Sequence, residues 1–200
     1  MRTAQTDSPT RTRLLDAAQK LMLAKGFAAT TVDDICEAAK LTKGSFFHYF
    51  ESKEHLGRVL LERFCDATTG RLDGLCGKER DPLKWVHNYI ETIAKLSQDP
   101  HANQGCLLGC FAQELSDTHP TIRAICEERF DRWAQQFGGA LTQAKRRYAP
   151  RASFNPQELA EHFIAVLEGS LILGKARQDM KVVATNLRHF QAYLKNLFQR

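Results

Sequence analysis

Between Thr31 and Lys53 the chain reads TVDDICEAAKLTKGSFFHYFESK, and the spacing in this stretch restricts the fold more than any other. Apolar residues fall at Val32, Ile35 and Cys36, then at Leu41, then at Phe46 and Phe50. Two short helices, each with one inward stripe, account for that pattern. Thr31 suits the cap of the first helix, and Asp34 three residues on completes a capping-box-like start. Thr42 suits the cap of the second, whose first turn is Lys43, Gly44 and Ser45. A small cationic and aromatic helix behind a tight turn has the form that enters a DNA major groove, where its N-terminal residues meet bases and phosphates. Lys43, Ser45, His48 and Tyr49 offer donors to phosphate oxygens, and Gly44 leaves room for close approach.

The rest of the chain is helical in pattern, and no stretch sustains the alternation of a half-buried strand, so the expected class is all-α. A first helix runs from about Pro9 to Lys25 and is closed by Gly26. A fourth, capped by Ser52, reaches roughly Leu75, and Pro82 opens a fifth that ends near Ser97. A sixth spans about Cys106 to Ser116, Pro120 opens a seventh, Pro156 opens an eighth that ends near Gln178, and a ninth starts near Val182. The N-terminal MRTAQTDSPTRTR has no apolar run and reads as a basic arm, not a signal peptide. No run of 18 apolar residues suggests a membrane span. Six cysteines without a secretory signal read as reduced thiols, which points to the bacterial cytoplasm. The net charge of +5 permits DNA binding without requiring it.

Thr31, Val32, Ile35, Ala39, Thr42, Gly44, Ser45, Tyr49, Phe50, Ser52, Lys53 and Leu56 together match the helix-turn-helix signature of the TetR family of bacterial repressors, which this chain resembles. Two positions depart from the family pattern: Lys40 stands where the turn glycine is usual, and Phe47 where a phosphate-directed tyrosine is usual. The resemblance implies a TetR-like all-helical fold. Its helix-turn-helix DNA-binding domain would occupy residues 1–52, and a helical effector-binding and dimerisation domain residues 53–200. Double-stranded operator DNA is the expected partner, bound as a palindrome by a homodimer and released by a small-molecule effector, with no cofactor and no membrane. The expected DNA-binding residues are Thr31, Thr42, Lys43, Gly44, Ser45, Phe47, His48, Tyr49 and Lys53. The last two helices would pair with their mates, placing Leu167, Leu171, Phe190 and Leu194 in or just under the dimer interface, helped by small residues at Ala165, Gly169 and Gly174.

The effector is open between three readings. Cys106 and Cys110 lie one turn apart in GCLLGC, and a cysteine at a helix start has its thiolate favoured by free backbone N–H groups and the helix dipole. The segment GCLLGCFAQELSDTHPTIR resembles that of TetR-family repressors of the nem-operon type, which respond to electrophiles and oxidants. The match lies in Gly105, Cys106, Leu107, Gln113, Glu114 and Leu115, and the same element serves equally as a buried turn of helix. A noncovalent apolar or aromatic ligand is the second reading, with Trp85, Tyr89, Phe111, Trp133, Phe137 and Phe163 as lining. The third is a metal held by His101, Cys106, Cys110 and Cys126, in a spacing that matches no standard zinc pattern. An enzyme is disfavoured: the chain has no GxxxxGK[ST], GxSxG or HExxH, its histidines are dispersed, and no residue is assigned a catalytic role.

Overall fold

The computed structural model describes residues 8–99 and 105–198; most of the N-terminal arm and His101 lie outside the described residues. Nine α-helices and no strand occur among the described residues: α1 (Pro9–Lys25), α2 (Val32–Ala39), α3 (Lys43–Tyr49), α4 (Lys53–Cys76), α5 (Pro82–Leu96), α6 (Leu107–Leu115), α7 (Pro120–Tyr148), α8 (Pro156–Arg177) and α9 (Lys181–Phe198). None of them is long and apolar enough to cross a membrane. The chain divides into two compact units, one of Met1–Ala67 with Cys106–Glu127, the other of Thr68–Gly105 with Glu128–Arg200. The first unit thus groups α6 with the helix-turn-helix head.

In the first unit α1, α2 and α3 enclose Leu14, Leu15, Ala18, Met22, Ile35, Phe46 and Phe50, all essentially inaccessible to solvent. The capping box forms as the sequence indicates: Asp34 N–H donates to Thr31 Oγ1 at 3.1 Å, and Thr31 N–H donates to Asp34 Oδ2 at 2.7 Å. The Lys25 ammonium, 2.8 Å from Asp34, and the Thr31 N–H hold that carboxyl well below the usual carboxylate range. Lys40 adopts the left-handed conformation, with φ 52° and ψ 49°. There its N–H donates to Glu37 O, and Leu41 N–H donates to Cys36 O, both at 2.9 Å, the paired bonds of a Schellman-type helix end. A side chain in this conformation crowds its own carbonyl, at a cost of about 1 kcal/mol that glycine avoids.

In the second unit α8 pairs with α9, and α5 packs on α9. Val86, Tyr89, Ile90, Phe137, Leu141, Phe163, Leu187 and Leu194 form much of its core. The residues expected in or just under a dimer interface lie beneath the surface of these helices. Leu167, Phe190 and Leu194 are 5%, 3% and 0% exposed and belong to the protomer's own core, with Leu171 half-buried against it. Gly174 is also spent internally, because a Cβ there would stand 2.6 Å from the Met180 sulfur. The apolar residues left outside on these helices are Ile172, Leu173 and Tyr193, at 49%, 42% and 45% exposure.

Candidate nucleic-acid interface and sensor helix

Helix α3 is fixed from below by Phe46, fully buried, and by Phe50, its C-cap. Its N-terminus is closed by Thr42, whose Oγ1 accepts from Ser45 N–H at 3.2 Å. With Phe46 inward, the exposed face consists of Lys43, Gly44, Phe47 and His48, two consecutive i, i+4 pairs. Lys43 extends to Asp33 on α2 at 2.9 Å, which raises its pKa and keeps the ammonium charged. Of the other expected donors, Ser45 Oγ lies 3.1 Å from Thr42 Oγ1, and Tyr49 Oη pairs with Ser8 Oγ at 2.8 Å. Thr31 and Thr42 are exposed caps, so their free lone pairs and the adjoining helix-end N–H groups remain at the surface.

Lys53 has a different employment from the one its motif position suggests. Its ammonium turns inward to the corner between α1 and α2, donating to Phe27 O at 3.0 Å and Thr30 O at 2.9 Å, and lies 4.4 Å from the Phe27 ring centroid. Partial burial lowers its pKa. The same corner is held by Glu114 of α6, a residue without an assigned role in the motif reading. Its carboxylate accepts from Phe27 N–H at 2.8 Å and Ala28 N–H at 2.7 Å. Phe111, one turn earlier, meets Phe27 edge-on at 5.7 Å. Helix α6 thus fastens to the head at one defined place. The QEL triplet carried the only sequence signal for it.

Cys106 is the N-cap of α6, with Gly109 N–H directed at its sulfur at 3.5 Å. It follows Gly105, exposed and at φ +83°. Cys36, Cys65, Cys76 and Cys126 are buried, whereas Cys106 and Cys110 are partly accessible. Burial raises the pKa of Cys36 and pushes that of Cys126 up to about 11, which keeps both as inert thiols at neutral pH. Among the described residues no three metal-ligating side chains gather. His101 of the metal reading lies outside them.

Five of the six expected pocket aromatics do come together, in the second unit. Trp85 stacks on Tyr89 at 4.9 Å, Phe137 on Phe163 at 4.5 Å, and Trp133 donates its indole N–H to Tyr89 Oη at 2.8 Å. Tyr89, Phe137 and Phe163 are core, and Trp85 and Trp133 are only partly buried. Phe111 is the exception, since α6 places it in the first unit beside Phe27.

Comparison with known proteins agrees with this geometry. Residues 14–58 match the model of bacterial regulatory proteins of the tetR family, and residues 82–190 match a tetracycline-repressor-like C-terminal domain. The chain belongs to the TetR family. Among TetR-family relatives, the transcriptional repressor DhaR of Mycobacterium sp. (strain GP1) is 30% identical over 173 residues, 86% of this chain and 85% of its own. The repressor NemR of Escherichia coli (strain K12) is 26% identical over 92% of this chain and 93% of its own. Among solved structures, a regulatory protein TetR from Rhodobacter sphaeroides superimposes with a TM-score of 0.82 at 25% identity, covering 92% of this chain and 97% of that one. E. coli NemR, described as its reduced form, does so at 0.78 and 25%, covering 95% and 98%. As a TetR-family member the chain is a DNA-binding transcriptional repressor and not an enzyme.

Proposed function

We propose that this TetR-family chain acts in the cytoplasm as a homodimer that binds a palindromic operator through α3 and is released by a small effector. The observation that carries the operator reading is the outward face of α3, where Lys43, Gly44, Phe47 and His48 stand together on a helix locked by Thr42 and Phe46. Lys43 would exchange Asp33 for a phosphate oxygen, while His48 and the cap residues Thr31, Thr42 and Ser45 supply hydrogen bonds. Tyr49 supports the helix through Ser8, and Lys53 supports it through the α1–α2 corner. A palindrome needs two heads related by a twofold axis. The apolar stripe of α8 fits that need: Ala165, Gly169, Ile172 and Ala176 recur at three- and four-residue spacing, Leu173 lies beside them, and Tyr193 adds to the surface from α9. Nothing lies within 4 Å of a Cβ built on Gly169, so a second helix has room to approach. Leu167, Phe190 and Leu194 would lie just under this stripe and support it from beneath.

For the effector, the reading best supported is an electrophile or oxidant acting at Cys106. Cys106 is partly accessible, caps α6 and lies about 12 Å along the axis from Glu114 of that helix. A group added at the cap strains the first turn of α6, and α6 carries the carboxylate that grips Phe27 and Ala28 of the head. Release follows if the modified form favours a head position that no longer fits adjacent major grooves. The partly buried faces of Trp85 and Trp133 favour a flat apolar ligand as the second reading. Gel shifts with the gene's own upstream region, before and after N-ethylmaleimide, test both parts. Retarded DNA that is freed by the reagent in the wild type but not in Cys106→Ser supports the thiol reading. Release in both proteins assigns induction elsewhere.

A further inference from the structure

Five large apolar side chains are strongly exposed among the described residues: Phe47, Leu75, Ile172, Leu173 and Tyr193. Three of them make up the proposed dimer stripe, but Phe47 stands apart on the DNA-facing side of α3. The residue is 56% exposed. Phe46, fully buried, meets it edge-on at 5.2 Å, so the ring is steadied at its base while its outer half faces solvent. Gly44 lies one turn back, where even an added Cβ would meet only Thr42 Oγ1, at 3.7 Å. The ring therefore has open space on its approach side and a charged neighbour, Lys43, four residues earlier.

A phenyl ring has no hydrogen-bond donor or acceptor. It cannot hold a phosphate as a tyrosine hydroxyl would, and it cannot read N7, O6, N6 or N4 of a base. One feature of the major-groove floor is apolar, the 5-methyl group of thymine. We propose that Phe47 is a specificity-determining residue that reads a thymine methyl in each half of the operator. A tyrosine hydroxyl here would offer a backbone contact, which carries no sequence information, whereas a bare ring is suited to a base contact, which does. The proposal rests on α3 being the reading helix, and that premise is measured separately below.

The operator is first obtained by selecting tight binders for the full-length protein from random duplexes. Each thymine in the half-site is then replaced, symmetrically in both halves, by deoxyuridine, which removes only the methyl group. Burying one methyl corresponds to about a fourfold change in affinity, so about fifteenfold for two half-sites. The expected result is one thymine position with a penalty of that order. Phe47→Ala abolishes the penalty while leaving the salt dependence of binding as in the wild type. At the same position, 5-methylcytosine paired with guanine binds the wild type more tightly than unmethylated cytosine paired with guanine. Three results overturn the proposal: no thymine sensitive to demethylation, an undiminished penalty in Phe47→Ala, or a Phe47→Ala loss that is equal on operator and random DNA, which marks a sugar contact. A Lys43→Ala variant separates the two levels. If it binds as the wild type does and the uracil scan is flat, α3 is not the reader and both ideas fall. If it binds weakly while the uracil scan is flat, only the assignment to Phe47 falls.

Discussion

Substituting Leu173 by glutamate separates the proposed dimer face from the protomer core. Ile172, Leu173 and Tyr193 each keep nearly half of their surface in water. Fully burying such a side chain contributes about 1.5–3 kcal/mol, so closing the remaining half contributes about 1 kcal/mol each. A twofold interface counts every residue twice, which gives these three about 6 kcal/mol in the dimer. Leu173→Glu removes about 2 kcal/mol of this and sets two carboxylates into an apolar seam, each with at least another ~1 kcal/mol of unpaired desolvation. The total of about 4 kcal/mol weakens dimerisation by about a thousandfold. Sedimentation equilibrium at micromolar concentration should show a dimer for the wild type and a monomer for Leu173→Glu, with circular dichroism and melting of the helices retained. Leu194→Glu should behave differently: Leu194 is 0% exposed, so the charge enters the protomer's own core and the fold is lost. A Leu173→Glu protein that remains dimeric, or that loses its helices as Leu194→Glu does, refutes the reasoning.

Lys40→Gly relieves the left-handed strain at the end of α2 but gives the unfolded chain more freedom, so a net gain of about 0.5 kcal/mol is expected, read as a rise in melting temperature; a fall would show that the strain argument is wrong. His87 is half-buried on α5, and that desolvation, with the charge of Lys195, lowers its pKa. The unfolded chain therefore takes up this proton first, so its effect on stability is absent above about pH 7 and grows as a loss when pH falls below about 6.5. His87→Gln should show a smaller drop in melting temperature between pH 7.5 and 5.5 than the wild type. In limited alkylation followed by mass spectrometry, Cys106 should label first and Cys126 last; any buried cysteine labelling ahead of Cys106 contradicts the accessibility ordering. Glu114→Gln keeps the shape of the α6 anchor but weakens its grip on Phe27 and Ala28. Maleimide treatment should then still label Cys106 yet release less operator, whereas full release would show that the signal passes by another route.

Local chemistry made the head legible in the sequence. The Thr31–Asp34 box, the Thr42 cap and the inward Phe46 and Phe50 all depend on neighbours within five residues or on helical period, and each is found as read. Contacts that span the chain were not legible. Lys53 occupies a motif position that suggests DNA, yet the carbonyls of Phe27 and Thr30, more than twenty residues away in sequence, claim its ammonium. Glu114 reaches back 87 residues to Phe27. Phe111 reads in the sequence as one more pocket aromatic beside those of α5, α7 and α8, but α6 packs on α1. On α8 the difficulty is of another kind: apolar residues occur on both sides of the helix. Periodicity finds Leu167 and Leu171 as readily as Ile172 and Leu173, and only the packing of α9 decides which pair is left outside.

The central claim is that two copies of α3 read the operator, with Lys43 and His48 facing DNA. Anisotropy titrations of the selected operator at several salt concentrations test it most directly, comparing wild type with Lys43→Ala and with Lys43→Ala/His48→Ala. Loss of one phosphate contact per head should flatten the slope of log affinity against log salt by about one per protomer, about two for the dimer, and the double variant should bind more weakly still. Wild-type affinity and an unaltered salt slope in the double variant would contradict the account.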